Sequence, residues 1–108
     1  MSNKVRISPS ESSDVEVLDK DDVKYPSLYD VVMLNDDYTP MDFVIELLMT
    51  KFGHDEVTSS AITEKIHVEG QGVAGTYFFE VAEQKAAEST LLARNNEYPL
   101  VLRVLRND

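Results

Sequence analysis

Residues 34–43 (LNDDYTPMDF) constrain the fold more than any other stretch of the chain. Asn and Asp favour turns because their side chains can hydrogen-bond to nearby backbone groups. Thr39 is then expected to be the N-cap of a helix, Pro40 its first residue and Asp42 an acidic residue that favours the helix dipole. The stretch therefore predicts a strand-to-helix connection that holds an amide and two carboxylates beside the apolar side chains of Met41 and Phe43.

The hydrophobic pattern around this turn predicts six elements in the order β-α-α-β-α-β. Strands are expected at 28–34, 73–79 and 100–105, and helices at 40–52, 56–69 and 81–95, with Asp55 capping the second helix and Gly53 and Gly70 ending the first two. The apolar faces of the second and third helices are expected to be formed by Val57, Ala61, Ile62 and Ile66, and by Val81, Ala82, Ala86, Leu92 and Ala93 respectively. The simplest packing is an α+β fold, a three-stranded antiparallel sheet with three helices on one face.

Residues 1–24 are polar and charged and contain no aromatic side chain. Such a composition cannot bury a core, so we expect a disordered N-terminal extension followed by one folded domain over residues 25–108. The extension would be either a solubilising tail or an arm that engages a partner.

The formal net charge of −10 argues against nucleic acid and anionic membrane surfaces as partners and favours cationic ones. The chain has no cysteine, which excludes disulfides and thiol chemistry. No signal-peptide core and no apolar run of about 20 residues is present, so the expected location is cytoplasmic.

The sequence contains no motif typical of an enzyme. Its two histidines, His54 and His67, do not form a metal-binding pair, and no serine lies in a nucleophile-elbow motif. We therefore expect no catalytic residue, no metal and no cofactor. His67 near the end of the second helix is either a histidine favoured by the helix dipole or part of a ligand site with the turn formed by residues 35–37.

Four blocks of sequence resemble the ClpS family of adaptors, which deliver N-degron substrates to the Clp ATPase–protease. The most specific block is residues 35–44 (NDDYTPMDFV), and the second is His67 with Gly70, Gly72 and Gly75 downstream. The others are residues 80–85 (EVAEQK) and 93–100 (ARNNEYPL). The resemblance covers residues 25–108 and implies the ClpS fold.

The resemblance also implies a function and a set of site residues. The domain would bind the free α-amino group and the bulky apolar first side chain of a substrate protein. Asn35, Asp37 and His67 would surround the α-ammonium, with Asp37 acting through water, and Asp36 would contact the substrate backbone. The side-chain pocket would be lined by Leu34, Thr39, Met41, Val44, Thr63, Ile66 and Leu100. Glu80 and Lys85 would dock on the N-terminal domain of a ClpA-type ATPase, and the adaptor would be a monomer.

Two positions depart from the family pattern. Thr63 stands where a second methionine usually lines the pocket. The resemblance therefore does not say which first residues of a substrate this pocket accepts. Phe78 replaces the usual capping hydroxyl beside the helix that carries Glu80. Two other functions remain open: an interaction module of the same fold with another partner, and a metal-dependent hydrolase that uses Asp36, Asp37 and His67.

Overall fold

The structure is a computed structural model that describes residues 25–108, so the predicted extension over residues 1–24 lies outside the described residues. The elements are β1 (Leu28–Leu34), α1 (Met41–Phe52), α2 (Glu56–Glu69), β2 (Gln71–Phe78), α3 (Phe79–Asn95) and β3 (Val101–Arg106). This order confirms the predicted β-α-α-β-α-β arrangement, and the predicted bounds of β1 are those observed.

The three strands form one antiparallel sheet in the order β2-β1-β3. The central strand β1 pairs along its length with both neighbours, and its last residue, Leu34, faces Gln71 of β2 and Val101 of β3. In an antiparallel sheet the end of one strand lies beside the start of the next. The segments just before β2 and β3 are therefore brought to the carboxyl end of β1.

A β-bulge interrupts the pairing of β1 with β2. Val31 faces Gly75 and Val32 faces Val73, which leaves Ala74 as the extra residue on β2. The Nε2 atom of His54 lies 2.5 Å from the Ala74 carbonyl oxygen and can donate a hydrogen bond to it. A bulge increases the local twist of a strand, and the imidazole ties this irregular point to the α1–α2 connection.

The three helices pack on one face of the sheet and enclose the hydrophobic core. Val31 and Met33 of β1 are fully buried and belong to the same hydrophobic cluster as Leu47 and Leu48 of α1. The buried face of α3 consists of small side chains, namely Ala82, Ala86, Ser89 and Ala93. Small residues at this spacing let a helix approach the sheet closely, so α3 contacts all three strands. No helix within residues 25–108 is both long enough and apolar enough to cross a membrane.

The ends of the first two helices confirm three predictions and correct one. Gly53 and Gly70 adopt left-handed conformations, with φ of 72° and 93°, and Asp55 accepts a hydrogen bond from the Thr58 amide. The N-cap of α1, however, is Pro40, with no side-chain capping bond, and not Thr39. The helix begins one residue later than predicted: Pro40 has the extended backbone of an N-cap, so Thr39 lies outside the helix, and its hydroxyl donates to the Asp36 carboxylate at 2.8 Å.

The predicted inner face of α2 is wrong for two residues. Val57 is 80% exposed and Ala61 is also exposed, whereas Ser59, Thr63 and Ile66 are buried. The buried residues lie four and three positions apart, so they form one stripe on the helix. The Thr63 hydroxyl avoids the cost of burial because it donates to the Ser59 carbonyl at 2.8 Å. Packing against α1 and β2 thus overrides a weak apolar pattern.

Smaller shifts occur around α3. This helix begins at Phe79 rather than Val81, and Val81 is 43% exposed, whereas Ser89 lies inside. Phe78, which replaces the usual capping hydroxyl, is the N-cap residue and makes no side-chain capping bond. The last strand begins at Val101, which leaves the buried Leu100 in the preceding connection.

Candidate functional site

A cavity opens at the carboxyl end of β1, beside the starts of β2 and β3. It encloses about 270 Å³ of empty space, open solvent at its mouth included. Because part of this volume is open solvent, the enclosed part is well below the 300–1,000 Å³ typical of drug-sized ligand sites. The cavity is lined by Leu34, Asn35, Asp36, Thr39, Met41, Val44, Thr63, Ile66, His67 and Leu100.

The sheet topology explains how residues far apart in the sequence come to share this cavity. The backbone N–H of Asn35 donates a hydrogen bond to the Gly70 carbonyl at 2.9 Å, and this bond joins the end of β1 to the end of α2. His67 lies in the last turn of α2, so the same bond brings it to the cavity beside Asn35. Leu100 reaches the cavity from the β3 side of the sheet, because it directly precedes Val101, the residue paired with Leu34.

Gly72 allows α2 to lie close to β2 below the cavity. A Cβ atom at this position would approach the Ile66 Cγ1 atom to 2.9 Å, a distance that real Cβ atoms essentially never show. Any larger residue would therefore displace Ile66, which is buried and lines the cavity. The close approach of the backbone at Gly72 thus sets the position of one apolar wall.

Asp36 organises the turn at the mouth of the cavity. Its Oδ1 atom accepts bonds from the Tyr38 amide at 2.8 Å and the Thr39 amide at 2.7 Å, and its Oδ2 atom accepts the Thr39 hydroxyl. Partial burial alone would raise the pKa of the Asp36 carboxyl, but these hydrogen bonds, together with the Arg94 charge, outweigh burial and lower the pKa below its usual value of 3.8. The carboxylate is therefore ionised at neutral pH and held rigidly.

The cavity has a polar mouth and an apolar interior. Asn35 and His67 are exposed at the mouth beside Asp36, whereas Val44, Ile66 and Leu100 are buried deeper in the protein. Thr63 is also buried, and its hydroxyl proton is already donated to Ser59. An ammonium group at the mouth would meet acceptors, while an apolar group attached to it would contact hydrocarbon.

The structure brings nearly all of the predicted recognition residues together. The seven residues predicted for the side-chain pocket all line the cavity, and so do Asn35, Asp36 and His67. Asp37 is exposed and is not among the lining residues. Its contact with the ammonium through water stays a prediction.

The two residues predicted for ATPase docking lie on α3 but differ in their surroundings. Glu80 is exposed in the first turn of the helix. Lys85 is only half-buried, but its Nζ atom donates to the Lys51 carbonyl at 2.9 Å and lies 5.3 Å from the centroid of the Tyr77 ring. The Lys85 ammonium is thus already used within the domain, whereas the Glu80 carboxylate faces solvent.

The sequence-based prediction gave no role to Arg94, although this residue hydrogen-bonds to the backbone of Leu100, which lines the cavity. Its Nη1 atom donates to the carbonyls of Tyr98 and Leu100. An arginine in the last turn of a helix is common because it favours the helix dipole, so its sequence position did not mark it. Within residues 25–108, we find no group of three or more His, Cys, Asp or Glu side chains that could hold a metal ion.

Comparison with known proteins supplies an independent view of the domain. The family described as "ATP-dependent Clp protease adaptor protein ClpS" matches residues 24–103. A protein of Vibrio cholerae named ATP-dependent Clp protease adapter protein ClpS is 48% identical over 92 residues, covering 83% of this chain and 87% of the relative. A Shewanella piezotolerans protein of the same name is 47% identical over 87 residues, covering 81% and 85% of the two chains.

Among solved structures, Agrobacterium tumefaciens ClpS2 bound to L-phenylalaninamide is similar to this chain. The two share a TM-score of 0.75 and 35% sequence identity, over 77% of this chain and all (100%) of the other. The similarity confirms the predicted fold, since the matched region spans the complete neighbour. The ligand of that protein carries a free α-amino group and an aromatic side chain.

Proposed function

The chain belongs to the ClpS family of ATP-dependent Clp protease adaptors, and from this premise we propose that it is an N-degron adaptor. It binds the free α-amino group and the bulky apolar first side chain of a substrate and delivers the substrate to a ClpA-type ATPase for degradation by ClpP. An adaptor presents substrates and is not itself an enzyme. The observation that carries the proposal is the cavity in which polar acceptors border an apolar interior.

The α-ammonium of the substrate would bind at the mouth. An ammonium donates three hydrogen bonds, and its desolvation is costly unless each proton finds an acceptor. The Asn35 side-chain amide oxygen and a neutral His67 ring nitrogen are acceptors that border the cavity, and Asp37 would add an acceptor through water. The Asp36 carboxylate, which was predicted to contact the substrate backbone, borders the same cavity and adds negative charge beside the ammonium. Although Asp36 already accepts three bonds within the turn, its two oxygens together offer about four acceptor sites, so one is left for the substrate.

The first side chain of the substrate would enter the interior. Transfer of a Leu or Phe side chain from water contributes roughly 1.5–3 kcal/mol, and charge-assisted hydrogen bonds contribute a similar amount each. After the cost of association, a dissociation constant on the order of micromolar or tighter is expected. The phenylalaninamide bound by the related ClpS2 supports this reading, because it combines the two groups that the cavity would recognise.

The test is a comparison of two peptides that begin with leucine and differ only in N-acetylation. We expect the free peptide to bind at least about 100-fold more tightly, because acetylation removes the charge and adds bulk where the ammonium would meet its acceptors. Fluorescence anisotropy with labelled peptides measures both affinities, and a scan of the first residue then defines the specificity with Thr63 in the pocket. Equal binding of the two peptides would exclude the proposal and would favour an interaction module with another partner.

Docking on the ATPase provides a separate prediction. Reversing the exposed charge in Glu80→Lys is expected to weaken binding to the isolated ATPase N-terminal domain about 10-fold, since rim charges set electrostatic complementarity. Glu83→Lys makes the same charge change at another exposed position of α3 and should have a smaller effect. Calorimetry measures both, and peptide affinity should stay unchanged in both variants. A monomeric state and a cytoplasmic location stay predictions from the sequence.

A further inference from the structure

The guanidinium of Arg94 joins the last turn of α3 to the wall of the cavity. Its Nη1 atom donates to the Tyr98 carbonyl and to the Leu100 carbonyl, both at 2.8 Å. Leu100 is 1% exposed and lines the cavity, so one of the two bonds holds a wall residue by its backbone. Charge-assisted hydrogen bonds of this kind are stronger than those between neutral groups.

Capping of α3 does not explain these two bonds. The last carbonyls of the helix already accept other donors: the Asn96 amide reaches Leu92 and Ala93, and the Asn96 side chain also reaches Leu92. The Arg94 side chain instead reaches forward, past the helix end, to the connection that leads into β3. Its partners therefore indicate a role in shaping this connection.

The connection between α3 and β3 needs such support. Glu97 has a φ of 63°, which is uncommon for a residue other than glycine. The Tyr98 ring packs edge-on against Phe43, with centroids 4.9 Å apart, so the connection is also linked to the first turn of α1. Met41 and Val44 of that turn line the cavity as well. A displacement of the connection would thus move the cavity wall from two directions.

Arg94 also acts on the mouth of the cavity through its charge. It is one of the groups that lower the pKa of the Asp36 carboxyl, after the hydrogen bonds from Thr39 and Tyr38. The same side chain therefore supports an apolar wall through hydrogen bonds and favours the ionised form of Asp36 through its charge.

We propose that Arg94 is a positioning residue that sets the specificity of the cavity for large apolar first residues by holding Leu100 in place. This inference rests on the proposed function and deepens it. Loss of the two bonds should loosen the wall that contacts the first side chain, while the acceptors for the ammonium remain. Discrimination between a large and a small first residue would then fall more than overall binding.

The test compares peptides that begin with leucine and with alanine, using wild type, Arg94→Gln, Arg94→Lys and Arg103→Gln. Arg103 is an exposed arginine of β3 outside the cavity, so its variant makes the same charge change without touching the wall. We expect Arg94→Gln to lower the leucine-to-alanine affinity ratio about 10-fold, a change within the range for apolar pockets. Arg94→Lys, which keeps the charge, should recover part of the ratio, and Arg103→Gln should retain it.

A purely structural role predicts another result. Partial unfolding lowers the active fraction equally for both peptides, so the ratio would not change even if urea denaturation showed a loss of stability. An unchanged ratio in Arg94→Gln therefore overturns the inference. If wild type itself binds free and acetylated peptides equally, the proposed function fails and this inference fails with it, so the two failures are distinguished by the wild-type measurement.

Discussion

Replacing Asp36 with alanine is expected to weaken the binding of a peptide with a free leucine N-terminus by about 100-fold. The carboxylate is the only ionised acceptor among the residues that line the cavity, so it contributes the largest electrostatic attraction for the ammonium. Its loss also frees the Tyr38 and Thr39 amides, which loosens the turn that carries Asn35. Fluorescence anisotropy measures the affinity, and circular dichroism checks the fold.

Three further variants separate the causes of this loss. Asp36→Asn retains one oxygen acceptor without the charge, so an intermediate loss is expected. Asp42→Ala removes the same charge from an exposed position in the first turn of α1 and should change the affinity less than about 3-fold, because exposed charges are screened. Asp37→Ala tests whether the Asp37 carboxylate contacts the peptide ammonium through water. Equal losses in Asp36→Ala and Asp42→Ala would mean that the general acidic field, and not a local contact, attracts the peptide.

The ionisation of Asp36 also links the turn to stability. Because the pKa of the carboxyl is lower in the folded protein than its usual value of 3.8, the ionised group stabilises the fold above that value. The contribution is lost as the pH falls through the lowered pKa of the folded state. Above pH 5 Asp36 therefore remains ionised, and changes of affinity between pH 5 and 8 must come from another group.

Replacing His67 with alanine is expected to weaken the binding of the same peptide about 30-fold at pH 7.5 and to remove the loss of affinity in acidic solution. In the proposed complex the ring accepts a hydrogen bond from the ammonium, and only a neutral imidazole can accept. Wild-type affinity should therefore be lower in mildly acidic solution than at pH 7.5. Anisotropy titrations between pH 8 and 5 measure both effects.

The second histidine provides the matched control. The chain contains only His54 and His67, so two variants account for every imidazole. His54 binds the Ala74 carbonyl and does not line the cavity. His54→Ala should thus retain the pH dependence of binding while lowering stability in urea. Flat wild-type affinity from pH 8 to 5 would contradict an acceptor role for His67.

Local signals in the sequence were sufficient for most of the secondary structure. The left-handed glycines Gly53 and Gly70 and the Asp55 cap end or begin helices through interactions within a few residues, so they could be identified without the fold. Prediction failed where a distant partner decided the outcome. Val57 was expected inside because it is apolar, yet the packing of α2 against α1 and β2 buries Ser59 instead.

The turn at residues 35–39 shows the same limit within the site. Its composition predicted a rigid group of acceptors, but Thr39 was assigned to the helix cap, because a threonine before a proline is compatible with both roles. In the structure, the Thr39 hydroxyl donates a hydrogen bond to the Asp36 carboxylate, and Pro40 is the N-cap residue of α1. The sequence pattern is compatible with both arrangements and did not separate them.

The sequence by itself determined the order of the elements, the bounds of β1 and the chemistry available at the turn, since these depend on neighbouring residues. Family resemblance named the residues that line the cavity, but composition and spacing alone did not bring them together. Only the tertiary structure joined Asn35, His67 and Leu100, because antiparallel pairing places the starts of β2 and β3 beside the end of β1. It also gave Arg94 its partners, since a long side chain can reach carbonyls whose position depends on the whole sheet.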